Sequence, residues 1–214
     1  MEGGVISQLS ALFLEDGTNY YGLGLNGRVT VMISDTSTGG NGSLASTNAI
    51  SYDSVYMQVS PIPNSSMSYL AKKSIKGTFS DNAGNSTLIT ANYIPAYDIP
   101  ASLSALAGSY SGNTASATGR VPTTFVIAQD GSVSGSIVGV GGANCPFVGT
   151  AVPRASGKNI FNLSVTFGQG CLDAGKTVTG VTTTVFSVGS VVTLQSVVSA
   201  SDRSNLFYTV ASKQ

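Results

Sequence analysis

The chain has 214 residues, with ten acidic and ten basic side chains, no histidine and no tryptophan, and only 9% of it is charged. Like charges adjoin only at Glu15-Asp16 and Lys72-Lys73, so no basic stripe neutralises phosphates and no polybasic segment holds anionic lipid; nucleic acid is not an expected partner. Without histidine there is no Ser-His-Asp or Cys-His catalysis and no imidazole metal site, and no apolar run approaches the roughly 18 to 20 residues of a spanning helix. A membrane β-barrel stays formally open, because alternating strands carry that signal weakly.

The first elements are hairpins. An apolar run from Leu9 to Leu14 ends at Asp16-Gly17, a turn pair whose positions accept positive φ, and Tyr20 to Leu25 is the return strand. Asn26-Gly27 makes a second such turn, after which Val29, Val31 and Ile33 alternate inward. Asp35 to Asn48 is Gly, Ser, Thr and Asn, which predicts a long polar loop. Ile50 to Val59 is expected to be one strand, with Val55, Met57 and Val59 on the core face and Tyr52 and Tyr56 on the other. Two further strands, Ser74 to Phe79 and Ser86 to Tyr93, flank Asp81 to Asn85 as a hairpin. Ile94 to Pro100 is a linker candidate, and Ala101 to Gly108 is the one helical turn, with Pro100 before it and Gly108 as its stop.

Strands are then expected at Tyr110 to Gly112, Thr123 to Ala128 and Ser132 to Val140, with Asp130-Gly131 as the turn between the last two. The only two cysteines, Cys145 and Cys171, stand at the open ends of a further hairpin, Pro146 to Val152 and Ile160 to Phe167. In its second strand Phe161, Leu163, Val165 and Phe167 share one face, the period of a half-buried strand. Two readings of the cysteines stand, a disulfide or a pair of buried thiols. The disulfide is the expectation: it would close a loop of about 27 residues, contribute roughly 3.5 kcal/mol in the chain-entropy model, and point to an oxidising compartment. Thr177 to Ser187, Val191 to Ser199 and Asn205 to Ala211 complete a meander.

Two sequence matches fail on context. Gly170 to Thr177 fits the phosphate-loop pattern G-x-x-x-x-G-K-T, but the β-branched run from Val178 to Val185 is a poor helix, and the mechanism needs helix amides. Gly22 to Gly27 fits G-x-G-x-x-G without a surrounding βαβ unit. The acids have turn roles, at Asp16, Asp81, Asp130 and Asp202. Asp81-Asn82 with Asn85 offers calcium oxygens but reads better as a hairpin connection. No metal, cofactor or catalytic residue is expected. Seven of the nine tyrosines precede residue 100; because tyrosine suits binding surfaces, Tyr52 and Tyr56, next to the polar loop, are the candidate partner-binding pair.

The second half resembles a group of uncharacterised proteobacterial secreted proteins, often lipoproteins. Its pattern here is Cys145-Pro146-Phe147-x-Gly149-Thr150, then Pro153-Arg154-Ala155-Ser156-Gly157, then Phe161-x-Leu163-x-Val165-x-Phe167-Gly168, Cys171, and Val178-x-Gly180-Val181. The resemblance covers roughly Ala105 to Lys213 and implies export, a disulfide and a lipid anchor upstream; it brings no activity. The expected protein is therefore all-β, with two antiparallel meander modules, residues 1–98 and 99–214, each a small barrel or sandwich; one continuous barrel or sandwich is the alternative. The expected function is non-enzymatic: an exported envelope or surface protein that binds a macromolecule. The alternative is a lipocalin-like carrier of a small apolar ligand.

Overall fold

Apolar residues recur at every second position along most of the chain, and the computed structural model realises that period as strands; it describes residues 6–25, 28–39, 42–55, 57–62, 64–84, 86–116, 119–138, 142–186 and 192–214. Two compact units result, Met1–Pro95 and Ala96–Gln214. Both are all-β, and among the described residues the helical turn α1 (Leu103–Leu106) is the one α-helix.

The first unit runs β1 (Ile6–Phe13), β2 (Thr18–Leu25), β3 (Arg28–Asp35), β4 (Ser37–Gly39), β5 (Ser43–Ser46), β6 (Ala49–Asp53), β7 (Gln58–Ile62), β8 (Asn64–Leu70), β9 (Ser74–Ser80) and β10 (Ser86–Asn92). They form two five-stranded antiparallel sheets, ordered β1-β2-β3-β6-β7 and β10-β9-β8-β5-β4. Three strands pass from one sheet to the other: β3 continues as β4 after Thr36, β5 as β6 after Thr47-Asn48, and β7 as β8 after one residue. Polar side chains pin these bends. The Asn48 amide donates to the Asp35 carboxylate at 2.9 Å and its oxygen accepts from the Asp35 N–H at 3.0 Å, while Asn19 donates to the Thr36 hydroxyl. The core between the sheets holds Tyr21, Met32, Met67, Ile75, Phe79 and Ile89. Phe13 and Phe79 meet the Tyr21 ring edge-on at 5.5 and 4.9 Å, a favoured aromatic geometry.

Two expectations fail here. The polar segment from Asp35 to Asn48 is not a long loop, since β4 and β5 pair within it; its threonines and serines supply strand residues, and the Asp35–Asn48 contact fixes its ends. Residues 50–59 are not one strand either. The Asp53 carboxylate accepts the Val55 N–H at 3.0 Å, folding the chain into a turn, and Met57 adopts φ +47° before β7 begins. The turn also inverts the expected faces: Tyr52 is 1% exposed, whereas Val55 and Met57 are 55% and 63% exposed.

In the second unit β11 (Gly108–Ser116), β12 (Gly119–Ile127), β13 (Ser132–Val138), β14 (Asn144–Pro153), β15 (Phe161–Phe167), β16 (Thr177–Phe186), β17 (Val192–Ser199) and β18 (Leu206–Lys213) form a closed antiparallel barrel in chain order. Closure runs from Tyr110 opposite Lys213 to Ala115 opposite Tyr208. The interior is packed with Phe125, Phe147, Phe161, Phe167, Leu163, Val165 and Leu194. Space there is tight: a Cβ at Gly180 would stand 2.0 Å from the Val197 carbonyl oxygen, and one at Gly135 would stand 2.4 Å from the Phe125 Cβ.

The helical turn closes one end. Ser102 caps it by accepting the Ala105 N–H at 3.3 Å, Leu106 is buried, and the Tyr110 hydroxyl donates to the Leu106 carbonyl at 2.5 Å. At the far end Cys145 and Cys171 are disulfide-bonded, with Cα atoms 4.7 Å apart across the mouth of the β14–β15 hairpin, within the normal span for such a bond. Short loops make both ends compact.

Candidate functional site

Of the candidate tyrosine pair, Tyr52 is not at the surface. Tyr52 sits in the sheet with its ring buried beside the β3 strand, opposite Val31, and Tyr56 lies outside the described residues. Tyr20 and Tyr21 are also buried. Burial pushes the Tyr21 phenol above the usual tyrosine value. The excess of tyrosine in the first half is thus, at these three positions, core packing, whereas Tyr69 is 39% exposed.

In the barrel interior of the second unit polar groups and space converge. A cavity of about 50 Å³ is lined by Phe125, Phe147, Phe167, Phe207 and aliphatic neighbours on one side and by hydroxyls on the other. Register places Thr182, Ser196, Thr209 and Thr114 in one row across β16, β17, β18 and β11. The Thr114 and Thr209 hydroxyls lie 2.7 Å apart, and Thr123 donates to Thr114 at 2.7 Å. No carboxylate or amine lines the space. It has room for about three to five waters, since each needs roughly 10 to 15 Å³ of such volume and two or more polar partners. Outward positions on β13 and β15 are hydroxyls and an amide, Ser134, Ser136, Asn162, Ser164 and Thr166, whereas Val126, Val138, Val148 and Val152 on β12, β13 and β14 are exposed apolar residues.

The acids given turn roles from sequence are engaged in turns. Asp16, Asp81, Asp130 and Asp202 each accept a backbone N–H two residues on. The Ser132 N–H holds the Asp130 carboxyl below the usual aspartate value, and the Ser204 hydroxyl does the same for Asp202. Asp53 is buried and accepts from the Thr30 hydroxyl at 3.0 Å. Among the described residues no group of three potential metal ligands converges.

The phosphate-loop pattern is likewise a turn. Cys171 is bridged, Lys176 donates to Asp173 at 2.9 Å, and Thr177 opens strand β16 where a phosphate loop would open a helix. Sequence reading missed Asn159. Buried in the β15 approach, it donates to the Ala96 and Thr184 carbonyls at 3.2 and 2.9 Å and accepts from the Thr184 hydroxyl at 3.2 Å. Its N–H reaches the Tyr97 carbonyl at 3.0 Å, and Lys158 beside it pairs with Asp98 at 2.7 Å. Asparagine in a Gly-Lys-Asn turn carries no periodic signal that could have flagged it.

No protein-family model, curated protein or solved structure matches this chain.

Proposed function

We propose that this is an exported, non-enzymatic protein of the bacterial envelope or cell surface, lipid-anchored as in the group it resembles, that binds a macromolecular partner through its outer surface. The observation that carries this reading is the filled barrel: its cavity, about 50 Å³ and free of carboxylates and amines, is far below the roughly 300 to 1,000 Å³ of a small-molecule site. A lipocalin-like carrier needs that volume, and hydrolytic chemistry needs titratable groups gathered at a cleft. The disulfide supports an oxidising compartment, and low surface charge supports recognition by backbone, hydroxyl and apolar contacts.

The test has two arms. Immobilised full-length protein is exposed to host serum, extracellular matrix and envelope extracts, with bound proteins identified after crosslinking and confirmed with purified material; saturable one-to-one binding is expected. In parallel, native mass spectrometry with a panel of fatty acids and sterols should show no stoichiometric adduct. A bound lipid seen at one per chain, with no protein partner, would overturn the reading in favour of a carrier.

A further inference from the structure

Among the described residues the two sheets of the first unit share bent strands and do not close into a barrel. Counting each bent pair as one gives seven: β1, β2, β3 with β4, β5 with β6, β7 with β8, β9 and β10. Neighbours alternate in direction, because every ladder is antiparallel. The first and seventh strands therefore run parallel, and no antiparallel ladder can join them. In the second unit β11 and β18, first and eighth, run antiparallel and are joined. β1 comes alongside β10, yet among the described residues β10 is bonded to β9 alone.

β1 lies alongside the edge of β10 without pairing to it, and the edge itself carries neither charge nor proline. Ser86-Thr87-Leu88-Ile89-Thr90-Ala91-Asn92 has no charge and no proline, the devices that normally blunt an edge strand. By contrast β7 carries Pro61, and β4 is three residues long. The Tyr93 N–H bonds the Lys73 carbonyl at 2.8 Å, so Tyr93 opposite Lys73 is a bonded pair. Alternation along an antiparallel ladder then directs the N–H and C=O of Thr87, Ile89 and Ala91 to β9, and those of Ser86, Leu88, Thr90 and Asn92 away from it. Leu88 is 69% exposed, while Ile89 is buried in the core.

Resting on the partner-binding reading above, we propose that the partner engages by strand addition: an extended, uncharged segment of about seven residues from another protein pairs antiparallel with β10. The parity of the sheet selects this occupant, since only a strand antiparallel to both β10 and β1 turns seven strands into a closed eight. Main-chain bonds supply affinity, and alternate side chains, apolar inward beside Ile89 and small or hydroxylic outward beside Leu88, supply specificity. β1 moves outward by one strand spacing, about 4.8 Å, to admit it.

Residue-resolved hydrogen exchange on the free protein is the first test. The Leu88, Thr90 and Asn92 amides should exchange much faster than those of Thr87, Ile89 and Ala91; equal protection of both sets would mean the edge is already paired and would overturn the proposal. The second probe is a phage-displayed library of random nine-residue peptides selected on the full-length protein. Selected peptides should slow the Leu88 and Thr90 amides and bind at least tenfold more weakly to Thr90→Pro, which removes an outward N–H and leaves the β9 ladder intact. Leu88→Lys, which keeps every amide, should also weaken them. Failure to select a peptide, or peptides indifferent to both substitutions, sinks the strand-addition site. A protein partner from the extracts that binds Thr90→Pro as tightly as the native chain leaves the partner-binding reading standing and removes only this site, whereas absence of any partner removes that reading.

Discussion

The two units are made of the same material, antiparallel strands that carry few charges, but one closes and the other does not. Eight strands bring the first and last together antiparallel in the second unit; seven leave them parallel in the first. Their cores differ accordingly. The closed barrel fills its inside with stacked and tilted aromatics, Tyr110 on Phe125 at 5.1 Å and Phe167 near Phe207 at 5.0 Å. The open unit adds Met32 and Met67 to an edge-on cluster of Phe13, Tyr21 and Phe79; the methionines are unbranched side chains that adapt to irregular space. Closure, more than composition, decides whether backbone groups at the seam are spent inside the unit or left available.

Breaking the closed unit should take the largest effects. Gly135→Val forces a branched side chain where even a Cβ meets the Phe125 Cβ at 2.4 Å and the Phe147 ring at 2.7 Å; we expect a loss of about 3 kcal/mol or more in that unit alone, read as a lowered second transition in calorimetry. Cys145→Ala with Cys171→Ala should cost the same unit about 3.5 kcal/mol, with hydrogen exchange in β14 and β15 accelerated and that in β2 and β3 unchanged. Asn159→Ala removes three side-chain hydrogen bonds at a buried position and leaves the Thr184 carbonyl short of a donor, for an expected loss of about 2 kcal/mol. Met57→Gly acts on the open unit in the other direction: Met57 sits at φ +47°, and relief of that left-handed conformation should stabilise by about 1 kcal/mol.

The smallest expected effect is with pH. Asp130 and Asp202 titrate below the usual aspartate value in the folded chain, so their contribution is present above that value and is lost as pH falls through the folded one. Burial raises the Tyr21 and Tyr110 phenols and pushes Tyr208 up to about 12, so theirs is present below the ordinary tyrosine range and is lost as pH rises through the folded values. With no histidine between these limits, both units should melt at a nearly constant temperature from roughly pH 5 to 9. A transition that moves by several degrees within that window would contradict this.

Alternation made the β class readable from sequence, and the Phe161-x-Leu163-x-Val165-x-Phe167 face is buried as its period requires. The Cys145–Cys171 bond was readable too, because both residues flank one hairpin. What escaped was any feature set by cross-chain contact. Strands β4 and β5 consist of Ser, Thr, Gly, Leu and Ala, whose local preference resembles a loop until the Asp35–Asn48 pair and the β8 neighbour hold them extended. Tyr52 has the pattern of an exposed residue only if the chain stays straight past Asp53; the Asp53 turn is a side-chain-to-backbone event that a two-residue period does not report. The free edge of β10 is equally silent in sequence, since it depends on counting strands in space.

One consequence concerns force. β11 and β18 are neighbours, and the chain enters the barrel by one and leaves by the other at the same end, where the Gln214 N–H bonds the Ser109 carbonyl at 2.9 Å and Lys213 reaches the Ala105 carbonyl at 3.0 Å. Tension applied to those two strand ends peels the β11–β18 ladder rung by rung, each bond loaded alone, while Cys145–Cys171 at the opposite end bears no load. The barrel is built to resist heat through its core and disulfide, yet along this axis it would open as a zipper does.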